Sequence, residues 1–125
     1  MTAGMYYDRH GRIIPLLVWV ALHENIQYRC VKQTKVGYGQ CKKLVSTVWL
    51  GLNHSLNPND RPMIFETMVF SGNHSQHDVN MYRYTTEDEA YRGHAAMVNK
   101  YRYTRQQRRR YHRRYMEYME RRSLR

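Results

Sequence analysis

From position 105 onward, arginines and tyrosines interleave in a way that suits a polyanion: Arg105, Arg108, Arg109, Arg110, Tyr111, Arg113, Arg114 and Tyr115. Guanidinium groups contact phosphates and release their counterions, and tyrosines at helical spacing present ring faces on which unpaired bases stack. The same residues equally suit a solvated helix whose tyrosines pack on the body or on a second copy. An acidic protein or a membrane surface is a less specific alternative.

A second constellation comprises His54, Glu66, His74, His77, Asp78 and His94. His74, His77 and Asp78 have the local density of a divalent-metal site, to which Glu66 would add a carboxylate. No cysteine lies near them in sequence, and a loop scatters such histidines into solvent, so no metal is expected. His54 and Glu66 fall at the ends of neighbouring strands, within reach of each other or of His94. That grouping makes either a buried structural network or an acid/base pair. No glycine-rich phosphate loop, nucleophile elbow or zinc-finger spacing accompanies them, which argues against catalysis and against a cofactor.

Positioning these groups falls to a chain of 125 residues, enough for one modest core. Its 21 Lys and Arg against 10 Asp and Glu give a formal charge of +11. Eleven of those cations and only Glu117 and Glu120 lie from Lys100 onward, a local charge of +9, which leaves +2 for residues 1–99. Positive charge therefore belongs to a C-terminal extension, residues 100–125, of a nearly neutral body, residues 1–99. Cys30 and Cys41 are too few for a disulfide framework and read as free thiols in a reducing compartment. The longest apolar run, Ile13 to Leu22, contains Pro15 and is far short of the ~20 residues of a membrane span. No signal peptide is evident, and no membrane partner is expected.

The stretch 44–70 organises the body. Two runs rich in β-branched and aromatic residues flank a polar loop containing Asn, Pro and Asp, the pattern of two strands joined by a long connection. Both runs are apolar on both faces, so the pair belongs in the middle of a sheet. On one strand Val45, Thr47, Trp49 and Gly51 share a face; on the other Phe65, Thr67 and Val69 do, while Glu66 falls on the opposite, otherwise apolar side and needs a partner. Asp8-Arg9-His10-Gly11 suits a turn between short strands at 5–7 and 12–14. Residues 26–36 and 79–84 alternate well enough for two further strands. Leu16 to Leu22 is a tie, since Pro15 favours a helix start while Val and Trp favour a strand. Thr86 with Glu89 forms a capping box, and Ala90, His94, Met97 and Tyr101 follow at helical spacing, predicting a helix that continues to Leu124.

Several of these strings, taken in order, resemble a family of small uncharacterised proteins common in bacteriophages and prophages. They are Met5-Tyr6-Tyr7-Asp8, the run from Val45 to His54 (VSTVWLGLNH), the run from Pro62 to Phe70 (PMIFETMVF), Arg83 to Glu87 (RYTTE) and Ala90 to His94 (AYRGH). The resemblance covers roughly residues 5 to 98, with Asn53 standing where the family usually has Asp. It implies phage origin and the cytoplasm of an infected bacterium, and no particular activity. It also breaks the tie at 15–24 in favour of a helix, because relatives carry a helix-like stretch with a Trp where Trp19 stands. The Tyr/Arg-rich tail lies beyond its reach.

These readings predict an α+β protein: an antiparallel sheet of four to five strands packed by a long C-terminal helix, with a short N-terminal helix. The expected function is non-enzymatic, binding nucleic acid or a host nucleoprotein complex through the basic helix, in host takeover or counter-defence. Homo-oligomerisation through that helix is a further expectation. The alternative is a module that binds a host protein or small ligand in a pocket near His54, Glu66 and His94.

Overall fold

The computed structural model describes residues 5–37, 42–57, 59–71, 78–102 and 105–124. A two-stranded ribbon, β1 (Tyr6–Tyr7) and β2 (Ile13–Ile14), opens the chain. Asp8 closes its turn: the amides of His10 and Arg12 donate to Oδ1 at 2.9 Å each, and Gly11 takes a φ of 81°. Helix α1 (Leu16–Glu24) follows with Pro15 as its N-cap, and α2 (Ile26–Arg29) is a single turn. Residues 26–29 are thus helical rather than the start of the strand that alternation predicts. The Asn25 side chain accepts from the Tyr28 amide at 3.2 Å and so nucleates that turn.

Strands β3 (Cys30–Val36), β4 (Lys43–Trp49), β5 (Phe65–Ser71) and β6 (Asp78–Tyr84) form an antiparallel sheet in the order β3-β4-β5-β6. The two apolar runs are its central strands, paired Val45 with Val69, Thr47 with Thr67 and Trp49 with Phe65. Strand β4 ends at Trp49, short of the expected Leu52, because Gly51 turns the chain at a φ of 74°. That glycine is held between Tyr7, whose amide donates to its carbonyl at 2.9 Å, and two indoles. A Cβ there would lie 2.5 Å from both Trp19 Nε1 and Trp49. The indoles donate outward, Trp19 to the Leu50 carbonyl at 3.0 Å and Trp49 to that of Tyr7 at 3.1 Å.

One face of the sheet is covered by α3 (Glu87–Tyr101), a fifteen-residue helix started by the predicted capping box. The Thr86 hydroxyl accepts from the Glu89 amide at 3.1 Å, and Glu89 accepts from the Thr85 amide. Beneath α3 lie two apolar clusters. Tyr7, Trp49, Ile64, Phe65 and Ala90 form one, with Trp19, Leu22 and Tyr28 packed around it; Val36, Val45, Val69 and Met97 form the other, flanked by Tyr101. Helix α3 does not run on to Leu124. It stops at Tyr101, with Arg102 extended at a ψ of 143°, and a separate helix, α4 (Arg105–Ser123), follows. The physical reason is packing: Tyr101 is drawn onto the sheet, where its hydroxyl accepts from Asn80 at 3.2 Å and Lys43 lies over its ring. Tyr101 therefore belongs to the body, not to the tyrosine stripe of the tail. None of the helices, among the described residues, is long and apolar enough to cross a membrane.

Candidate nucleic-acid interface

Every described side chain of α4 except Tyr111 is exposed. Tyr115 and Tyr118 show about half their surface to solvent (49 % and 55 %), so the phenol rings are not interred against the body. Among the described residues no carboxylate pairs with Arg108, Arg109, Arg110, Arg113 or Arg114; the ion pairs present are Arg9 with Glu87, Arg12 with Asp8, Arg83 with Glu66 and Arg92 with Asp88. The arginine side chains splay into two basic grooves. One of about 350 Å³ is lined by Arg110, Arg113, Arg114 and Glu117, the other of about 530 Å³ by Arg108, Arg109, His112 and Arg113.

Helical geometry sorts these residues. At about 100° per residue, Tyr111, Tyr115 and Tyr118 share one narrow sector with Arg122. Arg110, Arg114 and Arg121 border that sector on one side and Arg108 on the other, whereas Arg109 and Arg113 lie across the helix beside Glu117 and Glu120. One strand lying along the tyrosines therefore cannot meet all of the arginines proposed from sequence. Arg105 begins the helix, where only its backbone is described.

Left to itself, α4 is electrostatically frustrated. Its first turn holds no acid, and Arg105 and Arg108 to Arg110 crowd the positive end of the helix dipole. Arg109 with Arg113 and Arg110 with Arg114 are like charges at i,i+4, each pair costing about 0.2–0.5 kcal/mol. With almost no described side chain buried, packing, the main source of helix stability in proteins, offsets little of this. A polyanion laid along the tyrosines would relieve the Arg110–Arg114 part of this cost.

The other sequence-derived group, His54, Glu66 and His94, is not brought together. His94 lies on the α3 side of the sheet and is only 1 % exposed. Its Nε2 meets the Thr34 hydroxyl at 2.8 Å and its Nδ1 the Thr47 hydroxyl at 2.7 Å; Thr47 in turn meets Thr67 at 2.6 Å, and Thr67 is hydrogen-bonded to Tyr84. This polar chain fills the layer between the two apolar clusters. Burial, aided by the Lys32 charge, holds the His94 pKa below its usual 6.5. Burial likewise raises that of Tyr84, against the bond from Thr67. Glu66 points to the opposite face of the sheet, since it alternates with Phe65 and Thr67, and its Oε2 lies 4.0 Å from Nε of Arg83, its register partner on β6. His54 sits in the loop between β4 and β5, its amide donating to the Met63 carbonyl at 3.0 Å. The pocket expected from these three residues is therefore replaced by a structural network and an ion pair on opposite faces. His74 and His77 lie outside the described residues, as does Cys41; Cys30 is a free thiol.

Sequence reading missed a cavity of about 390 Å³ between the first turn, the loop before β5 and the start of α3, lined among others by Tyr7, Arg9, Arg61, Ile64 and Glu87. Arg9 is spent there on structure: it pairs with Glu87, donates to the Tyr28 carbonyl at 3.1 Å and lies over the Tyr28 ring. No local spacing announces this site, because its walls come from residues far apart in sequence. Compared with family models, with curated proteins and with solved structures, the chain matches none.

Proposed function

We propose that the protein binds single-stranded nucleic acid through α4, as a non-enzymatic accessory protein. The observation that carries this reading is the exposure of Tyr115 and Tyr118 in a sector bordered by arginines that have no carboxylate partner among the described residues. Bases stack on Tyr115 and Tyr118, with Tyr111 completing the stripe, while Arg110, Arg114, Arg121 and Arg122 take the adjoining phosphates. Base stacking on such rings contributes about 1–3 kcal/mol per base and is tolerant of sequence. Neutralising Arg110 and Arg114, like charges at i,i+4, also stabilises the helix itself. The resemblance to phage proteins supports a setting in an infected bacterium, with host takeover or counter-defence as the occasion for binding.

The test is a fluorescence-anisotropy titration of the full chain with a labelled oligonucleotide at several salt concentrations, alongside a chain ending at Arg102. The expected result is affinity that falls steeply with salt, is lost with α4, and is stronger for single strands than for duplex of equal charge. Far-UV circular dichroism should show helicity rising as the strand is added. Weak, salt-insensitive retention, or binding that survives removal of α4, refutes the proposal.

A further inference from the structure

Helix α1 carries an apolar surface that the body does not use. Trp19, Leu22 and His23 face inward, Trp19 and Leu22 packing on the core. The outward sector consists of Leu16, Leu17, Val18, Val20 and Ala21, and Glu24 is its one charged member. Leu17 is 81 % exposed, and Ile13 and Ile26 extend the patch at either end at 63 % and 69 %. A solvated helix face ordinarily carries polar residues, and a contiguous apolar patch of this kind marks a contact surface.

The two ends of α1 indicate what covers it. Its N-terminus is bare: Pro15 supplies no side-chain cap and the first turn holds no acid. Its C-terminal end carries Glu24, an exposed carboxylate with no ion pair among the described residues, placed where the helix dipole is negative. Each defect is the complement of the other. Two copies of α1 laid antiparallel about a twofold axis set the Glu24 of each against the uncapped amides of its mate, with the apolar residues between. An anionic lipid surface would instead meet the Glu24 carboxylate within the patch, toward its C-terminal end, and be repelled by it. The body's charge of only +2 over residues 1–99 permits two copies to approach, since the strong positive charge sits on α4.

We propose that this face is a homodimer interface, α1 against α1 of a second copy, with Leu17 and Val20 at its centre. The exposed apolar area amounts to on the order of 500 Å² per copy, short of the ~800 Å² per partner of a standard interface, so the dimer is weak and concentration-dependent.

Sedimentation velocity of the nuclease-treated full chain at elevated salt, over a wide concentration range, tests this. The wild-type mass should climb toward twice the monomer value as concentration rises. Leu17→Asp should stay monomeric throughout with an unchanged circular dichroism spectrum, as its exposed position predicts. Glu24→Lys should weaken the dimer by about tenfold or more, because it reverses the charge facing the partner helix N-terminus. Should Leu17→Asp fail to fold, Glu24→Lys alone carries the test. A wild-type chain that remains monomeric refutes the proposal, as does a dimer indifferent to both substitutions. So does a monomer that co-sediments with phosphatidylglycerol vesicles through Leu17, which would assign the patch to lipid.

Discussion

Sidedness is the sharpest consequence of placing the tyrosines and arginines on one straight helix. Arg110 and Arg114 border the tyrosine sector, whereas Arg109 and Arg113 lie across the helix near Glu117 and Glu120. A single strand held by Arg110, Arg114, Arg121 and Arg122 has log K falling with log salt at a slope of about −2.8, a loss of roughly fiftyfold between about 50 and 200 mM. Replacing Arg110 and Arg114 by Gln should lower that slope to about −1.4 and the loss to roughly sevenfold. Replacing Arg109 and Arg113 should leave the slope near its starting value. Gln is as good a helix former as Arg, and each double substitution removes like-charge pairs, so helicity should not fall in either. Anisotropy titrations at four or more salt concentrations, with circular dichroism as control, read the difference directly. Equal slope losses for both pairs would show that the helix acts as an unsided cloud of charge, and the stacking geometry would be refuted. No change for either pair would show that Arg110 and Arg114 contact no phosphate, and the assignment of the strand to this sector would be refuted.

Three further predictions concern the body that carries α4. Gly93→Ala ought to stabilise an ordinary helix by up to about 1 kcal/mol, but here the new Cβ would lie 2.1 Å from the Tyr84 hydroxyl, so urea denaturation should show a loss of about 1–3 kcal/mol. In a Tyr84→Ala background the same change should become neutral or favourable; a loss there would refute the clash. Because the folded pKa of His94 is depressed, the unfolded chain binds the extra proton first, so the contribution of a neutral His94 is complete above pH 6.5 and declines as pH falls below it. Urea midpoints that stay flat or rise on acidification from neutral pH would contradict this. Arg83→Met deprives the buried Glu66 of its cation and should cost about 1–3 kcal/mol, less than for a fully interred pair because a third of the Arg83 side chain meets water. Adding Glu66→Gln should recover much of that loss in a thermal melt, and failure to do so would mean that the pair contributes little.

Local chemistry accounts for what was legible in the chain. Alternation in 44–52 and 63–70 identified a central strand pair because apolar residues on both faces of a strand have only the middle of a sheet to occupy. Thr86 and Glu89 announced the start of α3, since a capping box is completed within four residues. The need of Glu66 for a partner was also visible, but its identity was not, because Arg83 reaches it through strand register rather than sequence spacing. The end of α3 was legible only in part. Thr104 and Gln107 have the spacing of a capping box just where α4 begins, a signal that the reading of one continuous helix passed over, whereas the hydrogen bond of Tyr101 with Asn80 and its ring contact with Lys43 on the sheet come from tertiary packing. The alternation over residues 26–36 misled in the other direction, because Asn25 closes one helix and at once caps another where a strand was expected.

The sequence by itself determined the class of fold, the order of most elements and the segregation of positive charge onto the last segment, all of which follow from periodicity, capping and net charge read over short windows. Tertiary structure alone decided that His94 and Glu66 lie on opposite faces and that α1 shows its apolar side to solvent. It also decided that Tyr115 and Tyr118 of α4 are exposed while Tyr101 packs on the sheet. These depend on which surfaces meet once the sheet has closed against α3, a property of the packed whole that no stretch of chain carries within itself.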